Sequence, residues 1–441
     1  MAFSKSRLGR RVTGKASRLS LEPLEPRVLL AANILTIDAG PAMDDGVADE
    51  FALIQNGPML DVSVNGSVVQ SVDAASLDQI EVLGSSDDDT LTVDLSGGNF
   101  IPLGKLSFAG GPQQTADGDS LILTGPAGDV TYSPTGPDSG DIVIDGGGIT
   151  FTGLEPVEDL LVATNLYIND SAGTDVINIV DGPVSSANDP VTGVPEPTYQ
   201  VNFGGAAEHI NFRNKTNVII NGLGGNDAIT YNLPTQFGDS LATVAIDSGG
   251  GADTIDVEAI AAGVPLGING GADDDAINLS PTAMDLGNLG DRVTATSGGG
   301  AGDSVNLFDQ NAGAGQDYTV TATDIDRPGF GGLAYTAAIE NVELNTTDLG
   351  DNVSVLSTSV STATTVNTHN SSSDDIYVGR LSSAVAGTGT LANLDGDLFV
   401  EDSGGCVRLT VDNGASTANT GWTIANPAGG HGTVTVTGVA G

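Results

Sequence analysis

Carboxylates are the side chains of this chain whose type and spacing point to chemistry. One pattern recurs: an acidic residue, any residue, an apolar residue, any residue, another apolar residue. It appears as Asp89/Leu91/Val93, Asp119/Leu121/Leu123, Asp175/Ile177/Ile179, Glu208/Ile210/Phe212 and Asp227/Ile229/Tyr231. It continues as Asp253/Ile255/Val257, Asp275/Ile277/Leu279, Asp303/Val305/Leu307, Asp351/Val353/Val355 and Asp374/Ile376/Val378. Glycines usually precede the acid, as in Gly249-Gly250-Gly251, Gly270-Gly271 and Gly298-Gly299-Gly300. A glycine turn bends the backbone until carbonyl oxygens face inward and aspartate adds charge, a donor set suited to a hard cation. The plainer account is a good β-turn, with aspartate capping local backbone donors.

A second constellation is basic. Arg213 and Lys215 form the only strand-borne basic pair, and alternation sets them on one face, near Glu208 and His209 in sequence. They are the best catalytic candidates in the chain, of the kind that would act on a proton of an acidic sugar. The simpler expectation is that they pair with surrounding carboxylates on the solvent face. His209, His369 and His431 lack the H-E-x-x-H spacing of a zinc site. No G-x-S-x-G elbow or G-x-x-x-x-G-K-[ST] phosphate loop occurs. Cys406 has no histidine near it in sequence and reads as a small apolar residue.

The elements that position these acids are β-strands. Period-two alternation with Thr, Ser or Asn between apolar positions describes a half-buried strand. A second short alternating run precedes the glycines, such as Val244-Ala245-Ile246 or Leu266-Gly267-Ile268. The unit is therefore strand, glycine turn with carboxylates, strand. Asp89 and Asp374 are 374 − 89 = 285 residues apart. With one degenerate copy in each of the two widest gaps, the period is about 26 residues, within the range of solenoids. The expected fold is all-β, a right-handed parallel β-helix or β-solenoid, with tandem β-sandwich domains as the alternative.

Composition narrows the function classes. The 441 residues hold 57 acidic and 14 basic side chains, for a net charge of −43. A polyanion such as nucleic acid is repelled by this field. Aromatics are 4% of the chain, which disfavours stacking platforms for bases or sugars. One cysteine excludes a disulfide scaffold, and no apolar run is long enough for a helical membrane span. Charge is also unevenly placed: residues 1–27 carry +7 − 2 = +5, and residues 28–441 carry +7 − 55 = −48. Such a reversal suggests a targeting segment ahead of an exported body.

Two resemblances bear on this. Leu24-Glu25-Pro26-Arg27-Val28-Leu29-Leu30 resembles the LEPR-XLL motif found near the N-terminus of large extracellular proteins of planctomycete bacteria, matching all specified positions. It covers about residues 1–32 and implies export or surface attachment, with no chemistry of its own. Gly222-Leu223-Gly224-Gly225-Asn226-Asp227-Ala228-Ile229-Thr230 and Gly270-Gly271-Ala272-Asp273-Asp274-Asp275-Ala276-Ile277-Asn278 are similar to the hemolysin-type RTX nonapeptide G-G-x-G-x-D-x-U-x. That resemblance implies Ca²⁺ at the turns. It assigns Asp89, Asn226, Asp227, Asp253, Asp273, Asp275 and Asp303 as ligands, shared between equivalent turns of adjacent coils. RTX repeats run back to back, whereas these nonapeptides stand alone, so the likeness is to the turns only. Aligned carboxylates on stacked coils would lie about 4.8 Å apart and repel by about 0.9 kcal/mol in water, which favours divalent cations as partners.

The organisation expected is a basic export segment over 1–32, an acidic solenoid over 33–380 and a C-terminal β segment over 381–441. Residues 33–80 read as an irregular β entry, and Pro183–Pro197 as a looped insertion or weak boundary. The expected function is a secreted or cell-surface, non-catalytic β-repeat protein with a structural or adhesive role. Its expected partners are divalent cations and cell-surface polysaccharide or other matrix proteins. A polysaccharide-acting β-helix enzyme is the alternative, and a basic cleft around Arg213 and Lys215 would distinguish it.

Overall fold

The computed structural model describes residues 32–39, 43, 45–112, 118–369, 373–402 and 407–415, and the strands Trp422–Ala425 and Val434–Gly438 by their backbone. The basic segment with its LEPR motif, Cys406 and His431 lie outside the described residues. Residues 33–441 form one compact unit.

That unit is an all-β solenoid. Its strands form two large sheets, one of 17 strands and one of the remaining 35 − 17 = 18. Among the described residues the only helical elements are single 3₁₀ turns, Ala74–Ser76 and Leu286–Asn288. Outside four antiparallel meanders, successive strands alternate between the sheets and pair in parallel with the strand one coil earlier. In the second sheet Ala228–Leu233, Thr254–Ile260, Ala276–Leu279, Ser304–Phe308 and Asn341–Asn345 stack in this way. In the first, Lys215–Asn221, Thr243–Asp247, Leu266–Asn269 and Val293–Thr296 do the same. Neither sheet closes on itself: followed pair by pair, the second opens at Ser67–Asp73 and ends at Trp422–Ala425. The sheets are continuous over the body, which sets aside the tandem-sandwich alternative.

Registered parallel pairing places like residues above one another. Ile229, Ile255, Ile277, Val305 and Val342 form one interior stack, and Tyr231, Val257, Leu279, Leu307 and Leu344 the next. The first sheet answers with Val218, Val244, Leu266 and Val293. Both apolar positions of all ten acid-led copies are buried. Each such side chain stabilises the fold by roughly 1.5–3 kcal/mol, so the alternation is what drives the coil to close.

Two sequence expectations change. The widest gaps in the repeat, 119–175 and 303–351, hold more than a degenerate copy. Each contains a three-stranded antiparallel meander: Asp129–Gly136, Ser139–Ile144 and Gly147–Thr152 in one, Asp317–Val320, Asp324–Asp326 and Leu333–Tyr335 in the other. The chain runs ahead, then folds back so that the third strand pairs with the preceding coil and the first with the following one. Val176–Val184, Pro197–Asn202 and Ile210–Phe212 repeat the device, so residues 185–196 are a hairpin loop inside one sheet and mark no domain boundary. The entry is regular rather than irregular, with Glu50–Asn56, Met59–Val64 and Ser67–Asp73 forming a fourth such meander at the edge. Asn65-Gly66 makes the second hairpin turn of this meander and Asp145-Gly146 the second turn of the one in the first gap, with positive φ at both residues of each pair, as two-residue hairpins demand. Parallel pairing also continues past residue 380, through Leu398–Asp402 and Val407–Val411.

Candidate functional site: a buried row of corner aspartates

The acids that lead each copy sit where the chain turns into a strand, and most are buried rather than displayed. Asp89, Asp119, Asp227, Asp253, Asp275 and Asp303 are each at most 3% exposed. The reason is a bond between coils. At most of these corners the backbone N–H of the acid finds its acceptor on the next coil, where an unpaired buried donor would cost about 1–3 kcal/mol; the Glu208 N–H is the exception and donates to the Gly136 carbonyl oxygen (2.7 Å). The acceptor on the next coil is a carboxylate. Asp49 N–H donates to Asp89 Oδ1 (2.9 Å) and Asp89 N–H to Asp119 Oδ1 (2.6 Å). Further on, Asp175 N–H donates to Asp227 Oδ1 (2.9 Å), Asp227 to Asp253 (2.8 Å), Asp253 to Asp275 (2.9 Å) and Asp275 to Asp303 (2.8 Å). Glu340 Oε2 continues the row by accepting from Asp303 (3.1 Å). Neighbours in the row are 22 to 52 residues apart in sequence, so the capping is not the local turn bond that the plainer reading expected.

The ten copies do not share one corner. Those from Asp89 to Asp303 lead into the second sheet, whereas Asp351 and Asp374 lead into the first, with Asp351 N–H donating to Asp374 Oδ1 (2.9 Å).

The oxygens left over decide what the row can hold. Asp89 spends both, its Oδ2 accepting from Ser85 N–H. In Asp119, Asp227 and Asp303, Oδ2 is sealed from solvent and meets no donor. Glycine closes the space beside it: a Cβ on Gly222 would stand 2.8 Å from Asp227 Oδ2 and 2.5 Å from the Ser248 carbonyl oxygen. Here glycine is needed for close approach rather than for positive φ. The shared calcium turn implied by the RTX likeness needs six to eight converging oxygens. Asp89, Asp227, Asp253, Asp275 and Asp303 instead point inward with one oxygen committed to a neighbouring coil. Asp273 and Asn226 stay on the exposed side of the turn, where Asn226 Oδ1 accepts from Ala252 N–H (3.1 Å). Among the described residues, no three acidic, histidine or cysteine side chains converge as a metal site.

Burial sets its electrostatics. It pushes Asp119 and Asp227 up to about 6, against the backbone N–H bond each accepts and with help from the neighbouring aspartates. Asp275 reaches about 7 for the same reason, with Asp253 and Asp303 on either side. None of the ion pairs among the described residues includes an aspartate of this row.

The basic pair is placed differently from the expectation. Arg213 and Lys215 do not share a solvent face. They flank Asn214, whose φ of 62° makes the corner between Ile210–Phe212 and Lys215–Asn221. Both are buried, Arg213 4% and Lys215 1% exposed. Lys215 Nζ donates to Asp159 Oδ1 (2.9 Å) and to the carbonyl oxygens of Leu161 (2.5 Å), Arg213 (3.0 Å) and Asp159 (3.2 Å). Burial lowers its proton affinity while Asp159 opposes the shift; four oxygen acceptors require the charged ammonium. Arg213 Nε lies 3.0 Å from Asp189 Oδ2, and its other nitrogens reach the carbonyls of Pro197 and Phe237. Asp189 belongs to the 185–196 loop, so the arginine ties that loop to the coil. Glu208 and His209 face elsewhere. Glu208 is raised to about 9 by burial, with Glu155 and Asp138 adding to it, and its Oε1 is 3.3 Å from His209 Nδ1.

A second internal clamp escaped the sequence reading. Arg327 makes a two-pronged pair with Asp309 (2.6 and 2.7 Å), whose Oδ2 also accepts from the Tyr318 hydroxyl (2.6 Å). Nothing in the spacing of Asp309 and Arg327 signals this, because the 317–335 meander brings them together. Amide ladders were also missed. Asn217 donates to Asn165 (2.9 Å), Asn221 to Asn169 (2.7 Å) and Asn306 to Asn278 (2.9 Å), each across one coil contact. Their signal was legible: asparagine at matching strand positions.

Comparison with protein-family models and with characterised proteins finds no match to this chain.

Proposed function

We propose that this chain is an exported, non-catalytic, acidic β-solenoid of the cell surface or extracellular matrix, acting as a stiff spacer or adhesive surface. The observation that carries this reading is the internal use of its strongest chemical groups. Arg213, Lys215 and Arg327 are buried against carboxylates and carbonyls, and the repeated aspartates hold coils together. What faces solvent is a long, carboxylate-rich surface. A sheet of 17 parallel-rich strands spaced about 4.8 Å apart is about 80 Å wide across its strands, a dimension suited to spanning.

The enzyme alternative requires an open basic cleft, and the pair it relied on is sealed in the wall of the solenoid. Divalent cations enter the proposal as counter-ions of exposed turn residues such as Asp273 and Asp274. Export rests on the basic segment and its LEPR-XLL likeness. The test is protease shaving of intact source cells, with antibody detection of the chain. Loss of the full-length signal without cell lysis is the expected result, and a signal retained with the cytoplasmic fraction overturns the proposal.

A further inference from the structure

One stretch of the first sheet carries an outer face unlike the rest of the molecule. Registered pairing lines up Tyr167, Ile219, Ala245, Gly267 and Thr294 as a central column on its solvent side. Polar columns flank it like rails. On one side Asn217 Nδ2 donates to Asn165 Oδ1 (2.9 Å) and Thr243 Oγ1 to Asn217 Oδ1 (2.9 Å). On the other, Asn221 Nδ2 donates to Asn169 Oδ1 (2.7 Å) and Asn269 Nδ2 to Asp247 Oδ1 (3.1 Å). An asparagine amide has two N–H hydrogens and two oxygen lone pairs. In Asn165 and Asn217 the bonds along the ladder use one of each, which orients the amide and leaves one donor and one acceptor for a ligand.

The floor between the rails is open at Gly267. Among the glycines within described strands it alone has empty space beside it: a Cβ there would meet nothing within 4 Å, and its φ lies outside the left-handed region. Mid-strand glycine costs roughly 0.5–1 kcal/mol relative to alanine, and neither packing nor backbone conformation requires it here. Its pairing on both sides is free of bulges. The remaining reason for a glycine inside a strand is close approach by another molecule. Charge sets this face apart as well. Across the five strands from Ala163–Asn169 to Val293–Thr296, Asp247 is the one exposed charged side chain, in a chain of net charge −43. The second sheet, by contrast, sets Asp256, Glu258 and Glu343 on its outer side.

We propose that this face is a binding trough for a linear, neutral polysaccharide lying along the solenoid axis. Equatorially linked sugar rings carry hydroxyls on both edges of the chain and apolar C–H groups on its flat faces. The amide and hydroxyl rails meet the edges, each hydroxyl finding a donor or an acceptor, and the floor of Tyr167, Ile219 and Ala245 meets a flat face. Strands recur every 4.8 Å or so, close to the advance of such a chain per ring, so successive rings meet equivalent side chains. Charge complementarity selects the polymer. A polyanion is repelled by the net charge of the chain, a polycation is drawn to the acidic second sheet, and a neutral polyhydroxyl chain matches the one face that is nearly free of charge. The trough gives the adhesive role proposed above its partner, and it rests on that reading.

The experiment is affinity electrophoresis of the full purified chain in native gels containing β-glucan, glucomannan or xyloglucan, with polygalacturonate as the anionic comparator. Retardation by at least one neutral polymer, and none by polygalacturonate, is the expected result. Tyr167→Ala, which removes the one aromatic ring of the floor, should weaken binding about tenfold. Gly267→Ile should do the same by standing a stiff, branched side chain in the trough. Its Tm should equal or exceed that of the wild type, because isoleucine favours a strand and glycine does not, so its loss of binding is not a loss of fold. Should it fail to fold, Tyr167→Ala carries the comparison. Thr365→Ile, on the outer side of the second sheet, should leave retardation unchanged. Absence of retardation by all three neutral polymers overturns the proposal. Binding that survives both trough variants, or equal binding of polygalacturonate, overturns it too. The outcome is separable from protease shaving: a cytoplasmic chain would overturn export while binding is still read on purified protein, and absent binding would leave the spacer role standing.

Discussion

Replacing Lys215 by methionine tests whether the basic pair is structural. The ammonium is enclosed, with side-chain exposure of 0% for both Lys215 and Asp159. Methionine fills the volume of the stem but removes the charge. Asp159 then remains as a buried anion, and the carbonyls of Leu161 and Arg213 lose their donor. Breaking one side of a buried pair costs about 3–5 kcal/mol, a large part of the 5–15 kcal/mol that typically separates folded from unfolded states. A second substitution, Asp159→Asn, removes the stranded charge while keeping an oxygen for Leu161 N–H, which Asp159 Oδ1 accepts at 3.1 Å. In the Lys215→Met background it should restore about 1–2 kcal/mol, giving a coupling in the range usual for contacting residues. The assay is urea unfolding followed by far-ultraviolet circular dichroism for wild type, both single variants and the double variant. Stacked coils need not unfold in one step, so midpoints and slopes are both compared. If Lys215→Met lies within about 0.5 kcal/mol of wild type, the buried-pair reasoning is wrong. The same holds if the double variant is as unstable as the sum of the singles.

Two further predictions concern the turns. Gly251 has φ of 121°, and a Cβ there would stand 1.8 Å from the Gly225 carbonyl oxygen; Gly251→Ala should lower stability by at least about 2 kcal/mol. Gly250→Ala meets nothing within 4 Å and should be close to neutral in the same unfolding assay. Removing cations with chelator and then adding millimolar Ca²⁺ or Mg²⁺ should give small, nearly equal rises in Tm, since exposed carboxylates such as Asp273 and Asp274 are screened by either ion. A large rise specific to calcium would instead support Asp227, Asp253, Asp275 and Asp303 as ligands.

Alternation alone determined much of this protein. Period-two apolar residues behind a recurring acid identified the strands, their buried faces and the solenoid class, because a strand with one apolar face has few ways to bury it at so short a repeat. Asn65-Gly66 and Asp145-Gly146 were equally legible as hairpin turns, though the period analysis passed over them. The tertiary structure decided where the charges point. Asp227 and Asp253 look alike in sequence to calcium-binding turn residues, yet whether a carboxylate faces a cation or a backbone N–H depends on what the next coil places above it, some 22 to 52 residues away. Arg213 and Lys215 appear to alternate on an open strand until Asn214 turns the chain into the left-handed region and carries both inside. Local pattern fixes which face of a strand is dry. Only the stacking of distant coils fixes which polar atoms must satisfy one another.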